Sequence, residues 1–275
     1  TEILSEGQGM LSMFRALAAT GRTGLDGTRW RGFLGHACGL HAQRILADDW
    51  CPTSTSEAFL VAPLCEGARQ LGHEAARQAA LKAGHHYRER HLDMLEPYWG
   101  GTLDARCEDK EAAIAALQAF LALHDLTGDP EWLAPAEHAL DVTLTYCVVW
   151  DVPLPPGPLA DLGLRTRGWT SVSVQNMHLD VFGVLIAPDV YRMGELANRQ
   201  DLKSLAKVMF RSCGQLIDAH GSQGEQIEQT NYTQQRREFG VTGMRGGYSE
   251  NWTVFWITAH FLNAAARFTE MGVTP

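Results

Sequence analysis

The feature that most restricts the fold is a repeated pair of helical segments, the first almost wholly apolar and the second amphipathic. A helix that is apolar on all sides is surrounded by protein, whereas an amphipathic helix faces water. Each repeat therefore predicts one inner and one outer helix. The pairs are 57–71 with 74–91, 109–126 with 131–149, 176–196 with 201–218 and an earlier pair at 6–20 with 30–47, and a last apolar helix is predicted at 250–268.

The connections between these segments differ in length in a regular way. Inner helices lead to outer helices through short turns of about four to six residues, as is usual between packed helices. Outer helices lead to the next inner helix through the long segments 92–108, 150–175 and 219–249. In stacked helix pairs, these long loops lie on the face that carries the N-termini of the inner helices. Because long loops in compact domains are usually functional, we expect a cleft on this face.

The repeats predict an all-α fold, an (α/α)n toroid of inner and outer helices, with residues 1–275 as a single domain. With its "LTGDPEWL" hairpin turn and its aromatic and acidic rim loops, the sequence resembles the six-hairpin glycosidase-like superfamily. That resemblance implies an (α/α)6-like toroid related to glycoside hydrolases, lyases and epimerases. Only about four repeats are clear, so we expect an incomplete toroid, a fragment of a longer chain, or completion by additional domains or a homo-oligomer.

Composition argues against two classes of partner and favours a cytoplasmic location. The net charge is −9 and the pI is near 5.6, whereas a nucleic-acid-binding protein needs a basic face. The sequence contains no run of about 18 apolar residues, so it predicts no membrane span, and no signal peptide is visible. The six cysteines form no CxxC motif and predict free thiols in a reducing compartment.

Sequence motifs for metals and cofactors are weak. His36 and His41 are five residues apart and His85 adjoins His86, and neither spacing is that of a zinc site. No phosphate-binding glycine loop and no GxSxG motif occur in the strand context that they require. The sequence therefore predicts no metal and no cofactor.

The first long loop supplies candidate catalytic acids. Glycoside hydrolysis needs two carboxyl groups that flank the bond to be cleaved. Asp104 and Glu108 lie in the loop, and Asp109 begins the next inner helix. Acids in a first helical turn are favoured by the helix dipole, so Glu108 and Asp109 have a capping explanation. Asp104 lies too far upstream for capping, which makes it the first choice for the chemistry.

The second and third long loops supply the remaining candidates. Asp180 is predicted to open an apolar helix, where apolar surroundings would favour the protonated carboxyl that can donate a proton. His178 could bind a sugar hydroxyl or transfer a proton. Capping and a hydrogen-bonded core histidine are the alternatives for these two residues. Glu250 is the other candidate carboxyl, and helix capping is its alternative.

Side chains suited to sugar binding lie along the same loops. Aromatic faces pack on the C–H faces of pyranose rings, and arginine forks match carboxylates in two-point contacts. Pairing with rim acids is the alternative for the arginines, and core packing explains Trp132 and Trp256 equally well. The candidates are Trp99, Arg106, Arg165, Arg167, Trp169, Gln175, Glu225, Tyr248 and Trp252. The arginines and helix N-termini together favour an acidic sugar, such as a uronic acid.

Three functions are compatible with this pattern. The preferred one is a glycoside hydrolase that cleaves an oligosaccharide with the carboxyl groups named above. The second is a polysaccharide lyase or sugar epimerase, in which His178 or Tyr248 removes a proton and Arg167 stabilises the developing charge. The third is a non-enzymatic helical-repeat binding module.

Overall fold

A computed structural model describes residues 2–92, 98, 100, 107–153, 160, 163–173, 179–180, 182–215 and 255–275. The regular structure of these residues is almost entirely helical. The helices are α1 (Glu2–Thr23), α2 (Thr28–Leu46), α3 (Val61–Leu71), α4 (Glu74–His91), α5 (Lys110–Thr127), α6 (Leu133–Thr145), α7 (Gly183–Leu196), α8 (Gln200–Gly214) and α9 (Phe255–Glu270), with 3-10 helices at Thr55–Leu60 and Pro130–Trp132 and short strands β1 (Thr170–Ser171) and β2 (Leu179–Asp180).

The chain divides into two compact units. Unit 1 is Thr1–Thr143 and unit 2 is Leu144–Pro275, so the division falls near the end of α6. The single domain expected over residues 1–275 stays a prediction.

In unit 1, α3 packs against α1, α4 and α5, and α4 also packs against α2. Helix α5 is apolar nearly all round, and every one of its residues from 110 to 121 is buried. Helix α4 instead buries a stripe that includes Ala76, Ala80 and Ala83, while residues such as Glu89 are exposed. These burial patterns are those of an inner and an outer helix.

In unit 2, α7 packs against α8 and α9, and its core includes Val148, Trp169 and Val184. Strand β1 joins three parts of the chain. Thr170 pairs antiparallel with Asp180 of β2 and also forms an antiparallel bridge with Cys147. These pairings attach the segment that follows α6 to the segment that leads into α7.

The inner helix expected at 176–196 begins later than the sequence pattern predicts. Helix α7 starts at Gly183, because Asp180 pairs with Thr170 as part of a two-stranded sheet. The expectation that Asp180 opens this helix is therefore wrong, and the residue lies in a strand just before it.

Two further expectations differ at helix ends and faces. The segment 131–149 is helical only to Thr145, since Cys147 has already entered its bridge to β1. The last helix, α9, is not enclosed on all sides, because 64% of Leu262 is exposed. Helix α9 is thus amphipathic over its described side chains.

None of the described helices is both long enough and apolar enough to cross a bilayer. The six cysteines are free, and all except Cys51 are buried. Burial raises the pKa of Cys38 and that of Cys147 to about 11, so both thiols stay protonated near neutral pH.

Candidate functional site

Two described residues of the first long loop of unit 1, Tyr98 and Gly100, contact neighbouring parts of the chain. The Asp109 N–H donates to the Tyr98 carbonyl at 3.2 Å, and the Gly100 N–H donates to the Cys107 carbonyl at 3.0 Å. Gly100 has a φ of +93°, and a Cβ there would lie 2.3 Å from the Ser54 side chain. Gly100 therefore lies closely against the residue that precedes the 3-10 helix Thr55–Leu60.

Three consecutive charged residues are buried where α5 begins. Asp109 is 1% exposed, Lys110 0% and Glu111 2%. The Asp109 carboxylate accepts a hydrogen bond from the Glu111 N–H at 2.6 Å, so the capping explanation for Asp109 holds. Glu108, by contrast, is exposed. Ionisable groups are seldom this fully buried, and such groups often lie at functional sites, so this run of three marks a functional candidate.

Lys110 and Glu111 were not among the residues that the sequence singled out. In the sequence they belong to a "DKE" run immediately before an apolar helix. A first helical turn that is exposed to solvent has the same kind of sequence. Burial of α5 from residue 110 to residue 121 is what distinguishes the two cases.

A row of buried aromatic and imidazole rings adjoins this helix start. The Thr55 hydroxyl and His91 Nε2 are 2.8 Å apart, and the His91 ring stacks on Tyr98 with centroids 4.2 Å apart. Tyr98 also lies 5.6 Å from the His138 ring. The Tyr98 hydroxyl and His138 Nε2 have no hydrogen-bond partner among the described residues. Burial raises the pKa of Tyr98, so its hydroxyl stays protonated and can donate a hydrogen bond.

The second long loop, in unit 2, holds two of the predicted arginines on one carboxylate. Arg165 lies 3.4 Å and Arg167 3.3 Å from the same Asp151 oxygen. Desolvation raises the pKa of Asp151, but Arg167 and, after it, Arg165 lower this pKa by more, so the net shift is downward. Two guanidinium groups and one carboxylate carry a surplus positive charge on an exposed loop.

Trp169 does not occupy the position that sugar stacking requires. Its side chain is fully buried in the core of unit 2, and its indole N–H donates to the Ser212 carbonyl at 3.3 Å. Trp169 is therefore a core side chain, whereas the sequence predicted a sugar-binding one. An exposed aromatic that the sequence did not single out is Trp150, which precedes Asp151 and is 61% exposed.

Unit 2 also contains a buried histidine at the N-terminal end of α9. The His260 ring lies 5.9 Å from the Phe182 ring, and Phe182 directly precedes α7. Burial lowers the pKa of His260 from its usual 6.5 to about 4, so the imidazole is uncharged at neutral pH. The sequence offered only a lone histidine in an apolar helix, a pattern that is usually a core residue.

Other predicted site residues lie outside the described residues, so their roles stay predictions. For Asp180 the backbone alone is described, within β2. The residues outside are Trp99, Asp104, Arg106, Gln175, His178, Glu225, Tyr248, Glu250 and Trp252. Convergence of the three long loops on one pocket likewise stays a prediction. Over the part of the chain that the structure describes, no group of three metal-ligating side chains is close enough to hold a metal ion.

The lowered pKa of His260 predicts a pH-dependent stability of unit 2. As the pH falls, the unfolded chain, with a histidine pKa of 6.5, takes up this proton before the folded chain does. The free energy of unfolding should have its full value above about pH 6.5 and should decrease by roughly 3 kcal/mol as the pH falls to 4.

Hydrogen exchange of the amides of α7, α8 and α9, corrected for intrinsic rates, measures this change. In a His260→Gln variant, the free energy of unfolding should depend less on pH between 6.5 and 4. Constant protection of the unmodified chain across that range would contradict the prediction.

No protein-family model matches the chain, and no curated protein sequence matches it significantly. Among solved structures, the chain is similar to a D-mannose isomerase, with 12% sequence identity, a TM-score of 0.58, and coverage of 98% of this chain and 70% of that chain. At this identity the likeness shows the fold alone. It confirms the all-α toroid fold class and is consistent with the six-hairpin glycosidase-like superfamily. The glycoside hydrolase assignment gains no support from it and stays a prediction.

Proposed function

We propose that this chain is a sugar isomerase or epimerase, an enzyme that moves a proton between sugar carbons or inverts one of them. Its fold is similar to that of a D-mannose isomerase, a sugar-modifying enzyme. The observation that carries the proposal is this similarity, which extends over 98% of the chain. An imidazole can both accept and donate a proton, as these reactions require, and His178 supplies one in the sequence before α7.

The reaction itself sets out which groups are needed. Isomerisation of an aldose takes the proton from C2 and places one on C1, whereas C2 epimerisation returns the proton to the opposite face. Both need a group that takes a proton, a group that gives one, and a cation or donor at the developing oxyanion. We assign proton transfer to His178 with Tyr248. In sequence, His178 is four residues before Phe182, whose ring lies 5.9 Å from that of His260.

Paired carboxylates have weaker support among the described residues. Glu108 is exposed, and Asp109 caps α5. The hydrolase therefore depends on Asp104, Asp180 and Glu250, whose side chains are not described. We retain it as the competing function that an experiment must separate from the proposed one.

Solvent isotope incorporation separates the two functions directly. The chain would be incubated with D-mannose and other aldoses in D₂O, and C1 and C2 would be followed by NMR. An isomerase or epimerase introduces deuterium at these carbons as product forms. In parallel, chromogenic glycosides, including uronides, would be tested for release of the aglycone. Aglycone release without any deuterium incorporation would overturn the proposal in favour of a hydrolase.

Replacement of His178 with asparagine is expected to lower kcat for the isotope exchange by at least about 100-fold, since general acid–base groups typically contribute that much. The matched control is His36→Asn, because His36 is exposed on α2 in unit 1. Each variant would first be checked for folding by circular dichroism. An unchanged exchange rate in a folded His178→Asn variant would show that this residue does not transfer the proton.

A further inference from the structure

Asp151, Arg165 and Arg167 form a small cluster on the surface of unit 2. Both guanidinium groups contact the same Asp151 oxygen, at 3.4 Å and 3.3 Å. The arginine side chains are 70% and 58% exposed, whereas that of Asp151 is 27% exposed. The carboxylate thus lies beneath two cations that face solvent.

The cluster differs from other ion pairs among the described residues. The pairs Arg44–Glu57, Arg69–Glu66 and Arg88–Glu131 each match one arginine with one carboxylate. Asp151, within the described part of the chain, contacts two. A guanidinium has five N–H donors, so the shared oxygen leaves most donors of both arginines for another acceptor. A surplus cation in a chain of net charge −9 is an anion-binding feature rather than a general property of its surface.

The backbone that carries the arginines is held in place from two sides. The Arg165 N–H donates to Gln215 Oε1 at 3.0 Å, and the Arg165 carbonyl accepts from Ser212 Oγ at 2.9 Å. The Thr166 hydroxyl accepts from the Val152 N–H at 2.7 Å and donates to the Trp150 carbonyl at 3.0 Å. Such anchoring reduces the ordering cost of binding a ligand.

We propose that Arg165 and Arg167 together bind an oxyanion carried by the sugar substrate, a carboxylate or a phosphate, and that Asp151 positions the two guanidinium groups. This inference rests on the proposed function and specifies its substrate as an acidic sugar. Arginine forks contact carboxylate and phosphate oxygens in two-point geometry, and two adjacent forks can contact one oxyanion from two directions. The single Asp151 neutralises one of the two cations, so the cluster keeps a net attraction for an anion.

Calorimetric titration of the full chain would compare D-mannuronate, D-mannose 6-phosphate, D-mannose and inorganic phosphate. We expect the two charged sugars to bind at least about tenfold more tightly than mannose, and higher salt to weaken that preference. The tighter of the two identifies the oxyanion as carboxylate or phosphate. Equal affinity for charged and neutral sugars would overturn the inference.

Variants test the two arginines separately. Arg165→Gln and Arg167→Gln should each weaken binding of the charged sugar by about tenfold, which is the effect of losing one charge-assisted contact. Arg165→Lys should restore part of the affinity, because it keeps the charge and loses the fork. The matched control is Arg199→Gln, because Arg199 pairs with Asp201 elsewhere in unit 2. Unchanged affinity in both glutamine variants, with an unchanged Tm, would also overturn the inference.

The test of the oxyanion site and the test of the proposed function can fail independently of each other. If mannose undergoes isotope exchange but charged sugars bind no more tightly, the oxyanion site is wrong and the isomerase or epimerase stands. If charged sugars bind through the arginines and no sugar exchanges its protons, the proposed function is wrong and the oxyanion site stands.

Discussion

Replacing Arg267 with methionine is expected to destabilise unit 2 by about 3–5 kcal/mol, the usual cost of leaving a buried charge unpaired. Arg267 on α9 makes a two-point contact with Asp189 on α7, at 2.8 Å and 2.5 Å. The Asp189 side chain is 4% exposed and that of Arg267 is 21% exposed. Water therefore has little access to Asp189, and the variant loses the two-point contact that Arg267 makes with this buried carboxylate.

Hydrogen exchange of the amides of α7 and α9 measures this loss locally, which avoids treating two compact units as one unfolding step. The matched control is Arg199→Met, because the pair with Asp201 is 47% and 63% exposed and such pairs contribute at most about 1 kcal/mol. Arg267→Met combined with Asp189→Leu should recover most of the stability, since both charges are then gone. An Arg267→Met effect as small as that of the control would contradict the prediction.

The inner and outer helices of unit 1 could be predicted because their signal is local. The stretch 112–121 in α5 contains no charged residue, and a helix of that composition is stable only when surrounded by protein. The start of α7 could not be predicted in the same way. The residues before Gly183 carry a helical pattern, yet Asp180 pairs with Thr170, and this tertiary contact overrides local propensity.

The candidate site was only partly predictable, for a related reason. The spacing of Arg165 and Arg167 suggested a common side, and both do contact Asp151. Trp169 was predicted to bind sugar, but it is buried, and the Ser212 carbonyl, far away in sequence, accepts its N–H inside the core. His260 carried no distinguishing signal at all, because its uncharged state is a consequence of burial. Residue type and spacing therefore indicate candidates, whereas burial and non-local partners decide among them.

Replacement of Gly168 with alanine is expected to destabilise unit 2 by about 3–4 kcal/mol, from backbone strain and overpacking together. Gly168 has a φ of +88°, which side-chain-bearing residues rarely adopt. A Cβ there would lie 2.8 Å from Met209 Cα and 3.1 Å from Met209 N. Both are backbone atoms of α8, so no change of rotamer can relieve the contact, and either the loop or the helix must move.

Gly163→Ala is the matched control for this change. Gly163 also has a positive φ, +65°, but nothing in the described part of the chain lies within 4 Å of a Cβ built there. Its alanine variant should lose only about 1 kcal/mol, the cost of the left-handed conformation. Because Gly168 follows Arg167 directly, Gly168→Ala should weaken binding of a charged sugar as well as stability, whereas Gly163→Ala should leave that binding nearly unchanged. Equal losses in the two variants, measured by hydrogen exchange of α8, would show that the approach of Gly168 to Met209 contributes nothing beyond its φ.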